Sequence, residues 1–237
     1  VLEFYAAPDS EAILGNVIGV PVGSLGKPLP GTAAVRVASF DLEDRSLDLG
    51  DDGLARECAP DEVGLLLAKV SRDDYESGSI LRGVFEPGDA WRSTGDLFTR
   101  DVHGEHWLVD SVAALVTTKR GVAAPAVSRR ALENVPAVDL CVAYGIEVRR
   151  THQLVCAATV RNGTSITADD LSQAFDRLSP HQWPDYVQVV QNIEVTTWHR
   201  PVSSRLQRAG VPKPSTRRQV WRLSSDGTSY TQLKASR

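Results

Sequence analysis

Two carboxylates, Asp96 and Asp110, bracket the second half of the stretch DAWRSTGDLFTRDVHGEHWLVDS, residues 89–111. The first follows a Thr-Gly pair. The second closes an alternating, aromatic-rich run that reads as two strands joined by the Gly-containing turn DVHGE. An aspartate at a strand end ordinarily caps a turn, because it is a favoured turn residue. Two of them at the ends of one hairpin, in this order with the Thr-Gly pair, are also a candidate binding arrangement. Other chemistries have less support. Cys58, Cys141 and Cys156 are odd in number and widely spaced, with no CxxC or Cys/His cluster. They read as buried, reduced thiols of a cytosolic protein and carry no metal motif. His103 reads as a solvated turn residue, and Trp91 and Trp107 as hairpin packing.

The elements that must position these carboxylates are short. The chain has 237 residues, 42% hydrophobic and 24% charged, which suits one large or two ordinary globular domains. It has no run of about 18 apolar residues that could span a membrane. Its start on Val1, the absence of Met and the opening run VLEFYA, expected as a buried strand, point to a piece of a longer protein. Residues 1–110 hold 21 acidic and 9 basic residues, a net of −12; residues 111–237 hold 9 and 17, a net of +8. Such asymmetry suggests two domains with different partners. The basic residues are dispersed and not interleaved with aromatics, which argues against nucleic acid.

Up to residue 110 the chain reads as strands and turns: TAAVRVASFDLE alternates, VGLLLAKV is a continuous apolar run, and the hairpin follows. A distorted β-barrel or sandwich is expected there. Beyond it, helices alternate with strands. PAVSRRALENV has Pro125 at a helix start. In TADDLSQAFDRLS, Thr167 and Asp170 form a capping-box-like start, with Leu171, Ala174, Phe175 and Leu178 on one face. VDLCVAYGIEV, HQLVCAATVRNG and YVQVVQNIEVT read as strands. QVWRL and SYTQL are expected to pair, after the surface loop PKPSTRRQ. The fold class is α+β, a β-barrel-like part at 1–110 and a small α+β domain at 111–237.

The order GDAWRSTGDLFTRDVHGEHWLVDS resembles the GD.W..TGDL...D..G...fvDR of the adenylate-forming enzymes, the acyl- and aryl-CoA synthetases and their relatives. The flanks agree: EFYAAPD is similar to EFYGATE, GSLGKPLPG to G.iGR.lPg, and APDEVGLLLAKV to PGEVGELLgki. TTWHRPVSSRLQRAG and VDLCVAYGIEV resemble TGTFKhrKvtLveeG and V.vYGVeV of the very-long-chain acyl-CoA synthetase and fatty acid transport subgroup. The resemblance covers nearly the whole chain, as about the last third of such an enzyme. It implies ATP, Mg²⁺, CoA and a fatty acid as ligands; the cysteines read as cytoplasmic, and the basic second half leaves peripheral association with an anionic membrane as an alternative. The carboxylate would be adenylated and then passed to CoA.

By this resemblance Asp96 would accept the two ribose hydroxyls of ATP, for which a carboxylate's two acceptor oxygens are suited. Tyr5 would pack on the adenine and Asp9 would hold Mg²⁺. Asp110 would precede a hinge near Ala113, about which the small domain rotates between two poses. Arg200 would occupy the position of the catalytic lysine. Four places depart from the family pattern. Pro8-Asp9 replaces Thr-Glu, removing a hydroxyl and shortening the carboxylate. Ser111 stands where an arginine would contact the ribose. Arg200 keeps a charge but offers a planar fork in place of a compact ammonium. TTKRGVAA keeps only Lys119 and Gly121 of the post-hinge motif. A divergent synthetase and a pseudo-synthetase that binds lipid, nucleotide or a partner both remain open, as does an adenylating enzyme for another carboxylate. The cluster of Lys213, Arg217 and Arg218 reads as a solvated loop, with the 3′-phosphate of CoA or anionic lipid as alternatives.

Overall fold

A computed structural model of the chain describes residues 2–7, 12–70, 80–197 and 200–235. Two compact units emerge, residues 1–113 and 114–237. The chain passes from one to the other through a single 3₁₀ turn, Val112–Ala114.

Among the described residues the first unit is built of strands and turns up to Ser111. Strands β1 (Glu3–Ala6), β2 (Ile13–Asn16) and β3 (Lys27–Pro28) form an antiparallel three-stranded sheet. A second sheet is built from β4 (Val35–Asp41), β5 (Ser46–Leu47), β6 (Gly64–Lys69), β7 (Ile80–Arg82), β8 (Ala90–Arg100) and β9 (His106–Ser111). Its order is β5-β4-β6-β8, and the far edge of β8 is shared by β7 at residues 90–92 and β9 at residues 96–100. One bridge, Gly26 to His106, links the two sheets. Among the described residues β1 and β5 do not pair, so the sheet system stays open where a barrel was expected. A two-residue β5 is too short to carry a further ladder. The apolar run in β6 is buried from Gly64 to Ala68, as a central strand covered on both faces must be. Strand β1 forms as expected but is not buried: Leu2 and Phe4 are 73% exposed at the edge of its sheet.

In the second unit β10 (Val116–Thr118) and β11 (Gly121–Ala123) make a hairpin, followed by α1 (Pro125–Glu133). Then come β12 (Val138–Val148), β13 (Thr151–Val160), α2 (Ala168–Phe175), β14 (Tyr186–Val189), β15 (Glu194–Val195), β16 (Pro201–Val202), α3 (Ser204–Arg208), β17 (Gln219–Leu223) and β18 (Tyr230–Gln232). A seven-stranded mixed sheet runs β11-β10-β13-β14-β17-β18, with β12 also paired to β13. The run YVQVVQNIEVT, expected as one strand, breaks after Val189; its end pairs with β16 instead.

Alternation along β12 and β13 sorts side chains to two faces. Cys141, Cys156 and Ala158 pack with Leu132 of α1 and Leu171 and Phe175 of α2. Val142, Tyr144, Val155 and Ala157 pack on the other side, with Leu206 of α3 against them. Each fully buried Leu or Phe in these layers contributes about 1.5–3 kcal/mol. The capping box forms as read from sequence: Asp170 N–H donates to Thr167 Oγ1 (3.2 Å), and Thr167 N–H to Asp170 Oδ2 (2.8 Å). Pro125 sits at the first turn of α1. A clasp that no local pattern announces closes the end of this sheet. Arg120 donates to Asp185 Oδ1 (2.7 Å) and to the Trp183 carbonyl (2.7 Å), while Asp185 Oδ2 accepts from Leu154 N–H (2.8 Å).

Candidate functional site

The Thr-Gly-Asp segment lies inside β8, and the ladder explains its shape. Leu65 of β6 faces Leu97 and Leu67 faces Ser93, so residues 94–96 are accommodated opposite a single residue, Leu66. This is a bulge, which bends a strand and re-aims its side chains. Gly95 adopts φ 75°, a left-handed conformation that glycine takes without the Cβ penalty. Thr94 Oγ1 fills the gap in the ladder, donating to the Leu66 carbonyl (2.9 Å) and accepting from Asp96 N–H (3.2 Å). A second register shift in β9, between Asp110 and Leu108, lies beside it.

The bulge delivers Asp96 to Tyr5 of β1. Tyr5 Oη donates to Asp96 Oδ2 at 2.6 Å, across 91 residues of sequence. The Tyr5 ring stands edge-on to Phe98, centroids 5.0 Å apart. Burial, and then the Asp96 carboxylate, push the Tyr5 hydroxyl far above its ordinary pKa, so it stays a donor. A carboxylate has about four lone-pair sites. One bond from Tyr5 leaves Asp96 room for further hydroxyl donors.

Ser111 is the cross-strand partner of Asp96, and Asp110 that of Leu97. Asp110 Oδ1 accepts from the Ser111 N–H (2.8 Å), and Ser111 Oγ makes a long contact with the Gly95 carbonyl (3.4 Å). Thus Tyr5, Asp96 and Ser111 come together, with Asp110 on the neighbouring pair. Pro8 and Asp9 lie outside the described residues. Arg200 is exposed in the second unit, where its backbone closes the β15–β16 hairpin with Thr196: Thr196 N–H to Arg200 O (2.9 Å) and Arg200 N–H to Thr196 Oγ1 (3.1 Å). Among the described residues no cluster of three His, Cys, Asp or Glu side chains could hold a metal ion.

The supporting turn is held by Asp101, whose Oδ1 accepts from His103 N–H (2.8 Å) and Glu105 N–H (2.9 Å). His103 is exposed at its tip. Trp91 is 3% exposed and packs on Phe85, its indole N–H bound to Asp89 (2.7 Å). It faces Lys69 and Leu81, while Trp107 faces Thr99, so the two tryptophans pack separately. Cys58, Cys141 and Cys156 are free and buried; burial pushes Cys58 up to about 11 and Cys141 up to about 12.

A residue the sequence did not single out ties β9 to the chain entering β3. His106 is 3% exposed, and its Nδ1 bonds the Gly26 carbonyl (3.0 Å). Gly26, at φ 84°, passes so close to Gly15 that a Cβ would lie 2.0 Å from its carbonyl oxygen. A lone histidine in an apolar strand carries no pattern to distinguish it. Burial lowers its pKa below the ordinary 6.5, the Gly26 bond only partly opposing. The unfolded chain therefore takes up a proton at His106 near pH 6.5 while the folded chain does so only lower. This contribution to stability is whole above pH 6.5 and is lost as pH falls towards the folded pKa. His106→Gln is expected to flatten the fall in urea midpoint between about pH 7 and 5; a slope identical to wild type would show that His106 does not set it.

No family model matches the chain. The medium/long-chain-fatty-acid–CoA ligase FadD6 of Mycobacterium tuberculosis is 27% identical over 209 residues, 83% of this chain and 34% of that protein. Long-chain fatty acid transport protein 5 of Mus musculus is 23% identical over 226 residues, 89% and 33%. ATP-bound MatB from Rhodopseudomonas palustris superimposes with a TM-score of 0.66 at 19% identity, covering 88% of this chain and 40% of that one. The O-succinylbenzoate coenzyme A synthetase MenE of Bacillus subtilis, in complex with AMP, gives a TM-score of 0.59 at 20% identity, covering 87% and 40%. The chain spans about a third of the length of the curated relatives it matches. Its relatives are fatty-acid–CoA ligases and fatty acid transport proteins, and its fold is that of a C-terminal portion of the adenylate-forming enzymes.

Proposed function

We propose that this chain is the C-terminal part of an ATP-dependent acyl-CoA synthetase acting on long or very long fatty carboxylates. The carboxylate attacks the α-phosphate of ATP, releasing pyrophosphate, and CoA thiolate then displaces AMP. Neither step needs a protein nucleophile; the protein orients reactants and neutralises developing charge. Residues 1–110 are the end of the large adenylation domain. Residues 111–237 are the small domain, which rotates about a hinge near Ala113. Asp96 accepts the ribose hydroxyls, Tyr5 backs the adenine, Asp110 and Ser111 border the nucleotide, Asp9 meets the Mg²⁺ of MgATP, and Arg200 faces the α-phosphate.

The observation that carries this reading is the bulged Thr-Gly-Asp segment with Asp96 fixed by Tyr5 and still able to accept. A second reading, a degenerate synthetase domain retained for binding, draws support from Ser111, an uncharged residue directly across from Asp96. The test uses the full-length protein with MgATP, CoA and C12–C24 fatty acids, reading acyl-AMP and acyl-CoA by mass spectrometry. Both products are expected. Acyl-AMP alone would place the defect in the CoA step, and neither product from folded protein would favour the degenerate domain. In the same protein, Asp96→Ala is expected to weaken ATP binding by about 10- to 100-fold, as for lost charged hydrogen bonds of about 1.5–3 kcal/mol. Fatty acid affinity should hold; unchanged nucleotide affinity would remove Asp96 from the ribose site.

A further inference from the structure

We propose that the second unit carries an anion-binding groove of its own, which takes the phosphate of a small, nucleotide-sized organic phosphate. A cavity of about 520 Å³ opens beyond the end of β14, lined by Val190, Leu206, Arg205, Lys213, Arg217 and Arg218, with Glu194 as its carboxylate. That volume lies within the range of about 300–1,000 Å³ typical of small-molecule sites. Glu194 is engaged, since Arg205 donates to it at 3.2 Å. Among the described residues, Lys213, Arg217 and Arg218 have no carboxylate within ion-pair distance, so one groove holds three uncompensated cations. Like charges brought together raise each other's energy, and a bound polyanion relieves it.

The cations stand on an ordered frame. Ser215 and Arg218 exchange backbone hydrogen bonds, Ser215 N–H to Arg218 O (3.0 Å) and Arg218 N–H to Ser215 O (3.2 Å). This puts Arg217 in a tight turn and Arg218 at its base, where the chain enters β17. Continuing the β14–β17 register from Val189 opposite Gln219 sets Arg218 beside Val190 on the groove floor. The other wall is α3, pinned to β12 by Gln207 Nε2 donating to the Gly145 carbonyl (2.9 Å). The apolar side of this wall, Leu206 with Val190, would cover the uncharged part of the ligand. A concave site of this size favours a soluble molecule over a flat lipid surface. The groove uses none of Tyr5, Asp96, Asp110 or Ser111, and the argument does not depend on the synthetase reading.

The test is calorimetric titration of the 237-residue chain with adenosine 3′,5′-bisphosphate and, separately, inorganic pyrophosphate. Binding is expected, weakened by roughly tenfold for each of Arg217→Ala and Arg218→Ala, as loss of a charge-assisted contact implies. Arg217→Lys should retain most of it, and Asp96→Ala should leave it within about twofold. Arg217 is exposed and Arg218 half-buried, and unchanged circular dichroism checks folding. Failure of both probes to bind would overturn the proposal, as would binding that survives both alanine variants. So would binding lost only in Asp96→Ala, which would assign it to the Asp96 site. Vesicles of phosphatidylcholine with and without phosphatidylserine form a separate arm; capture by phosphatidylserine vesicles with neither soluble probe bound would replace the groove with a lipid-facing surface.

Discussion

On the proposed synthetase reading, Arg200→Ala in the full-length protein is expected to lower acyl-adenylate formation by about two to three orders of magnitude, and Arg200→Lys to raise it above wild type. The size is that of removing one preorganised charge contact from a developing oxyanion. The direction for lysine follows from shape. An ammonium is a compact point charge that can sit between a carboxylate and a phosphate oxygen, whereas a guanidinium is a planar fork whose donors diverge. Neither change should disturb the backbone, because Arg200 is exposed and its position is set by main-chain bonds with Thr196. Single-turnover pyrophosphate release under saturating MgATP reads the step directly. Equal rates in all three proteins would remove Arg200 from the reaction. Absence of turnover in wild type, rescued by Arg200→Lys, would identify the position as the one whose change silenced the enzyme.

The parts of this molecule legible in its sequence are those set by local chemistry. The hairpin of β8 and β9 followed from alternation around a turn containing Gly104, and its Asp101 cap has the geometry such turns require. Thr167 and Asp170 marked the start of α2 because both halves of a capping box lie three residues apart. What escaped was non-local. Tyr5 meets Asp96 across 91 residues and Arg120 meets Asp185 across 65, and neither pair has a spacing to detect. The motif order singled out Asp96, but only the ladder shows that Thr-Gly-Asp is a bulge with a glycine in the left-handed region. The exposed Leu2 and Phe4 show a related limit. Apolar composition in a strand predicts that its face will be covered, yet says nothing of which segment covers it. The open first sheet has the same origin, since closure depends on the length of the edge strand β5 and not on alternation within it.

The second unit should fail first at one aromatic contact. Phe175 closes α2, is fully buried, and lies 6.1 Å from Trp183 and 5.9 Å from Tyr230, whose rings stack on each other 6.0 Å apart. This trio joins the helix and the loop that follows it before β14 to the edge strand β18, which is remote from both in sequence. Tyr230 is anchored by its hydroxyl donating to the Pro184 carbonyl (2.8 Å), so the stack cannot slide into a vacated space without losing that bond. A site that collapses poorly sits at the costly end of the large-to-small range, and Phe175→Ala is expected to cost about 3–5 kcal/mol. Thr167→Ala, at the other end of the same helix, removes only a cap and is expected to cost about 1 kcal/mol. Amide hydrogen exchange along β13 and β14 distinguishes the two. Exchange through global opening should accelerate by roughly two to three and a half orders of magnitude in Phe175→Ala, and by under one in Thr167→Ala. Comparable acceleration in the two variants would mean that α2 is held by its own helical stability and not by the aromatic trio.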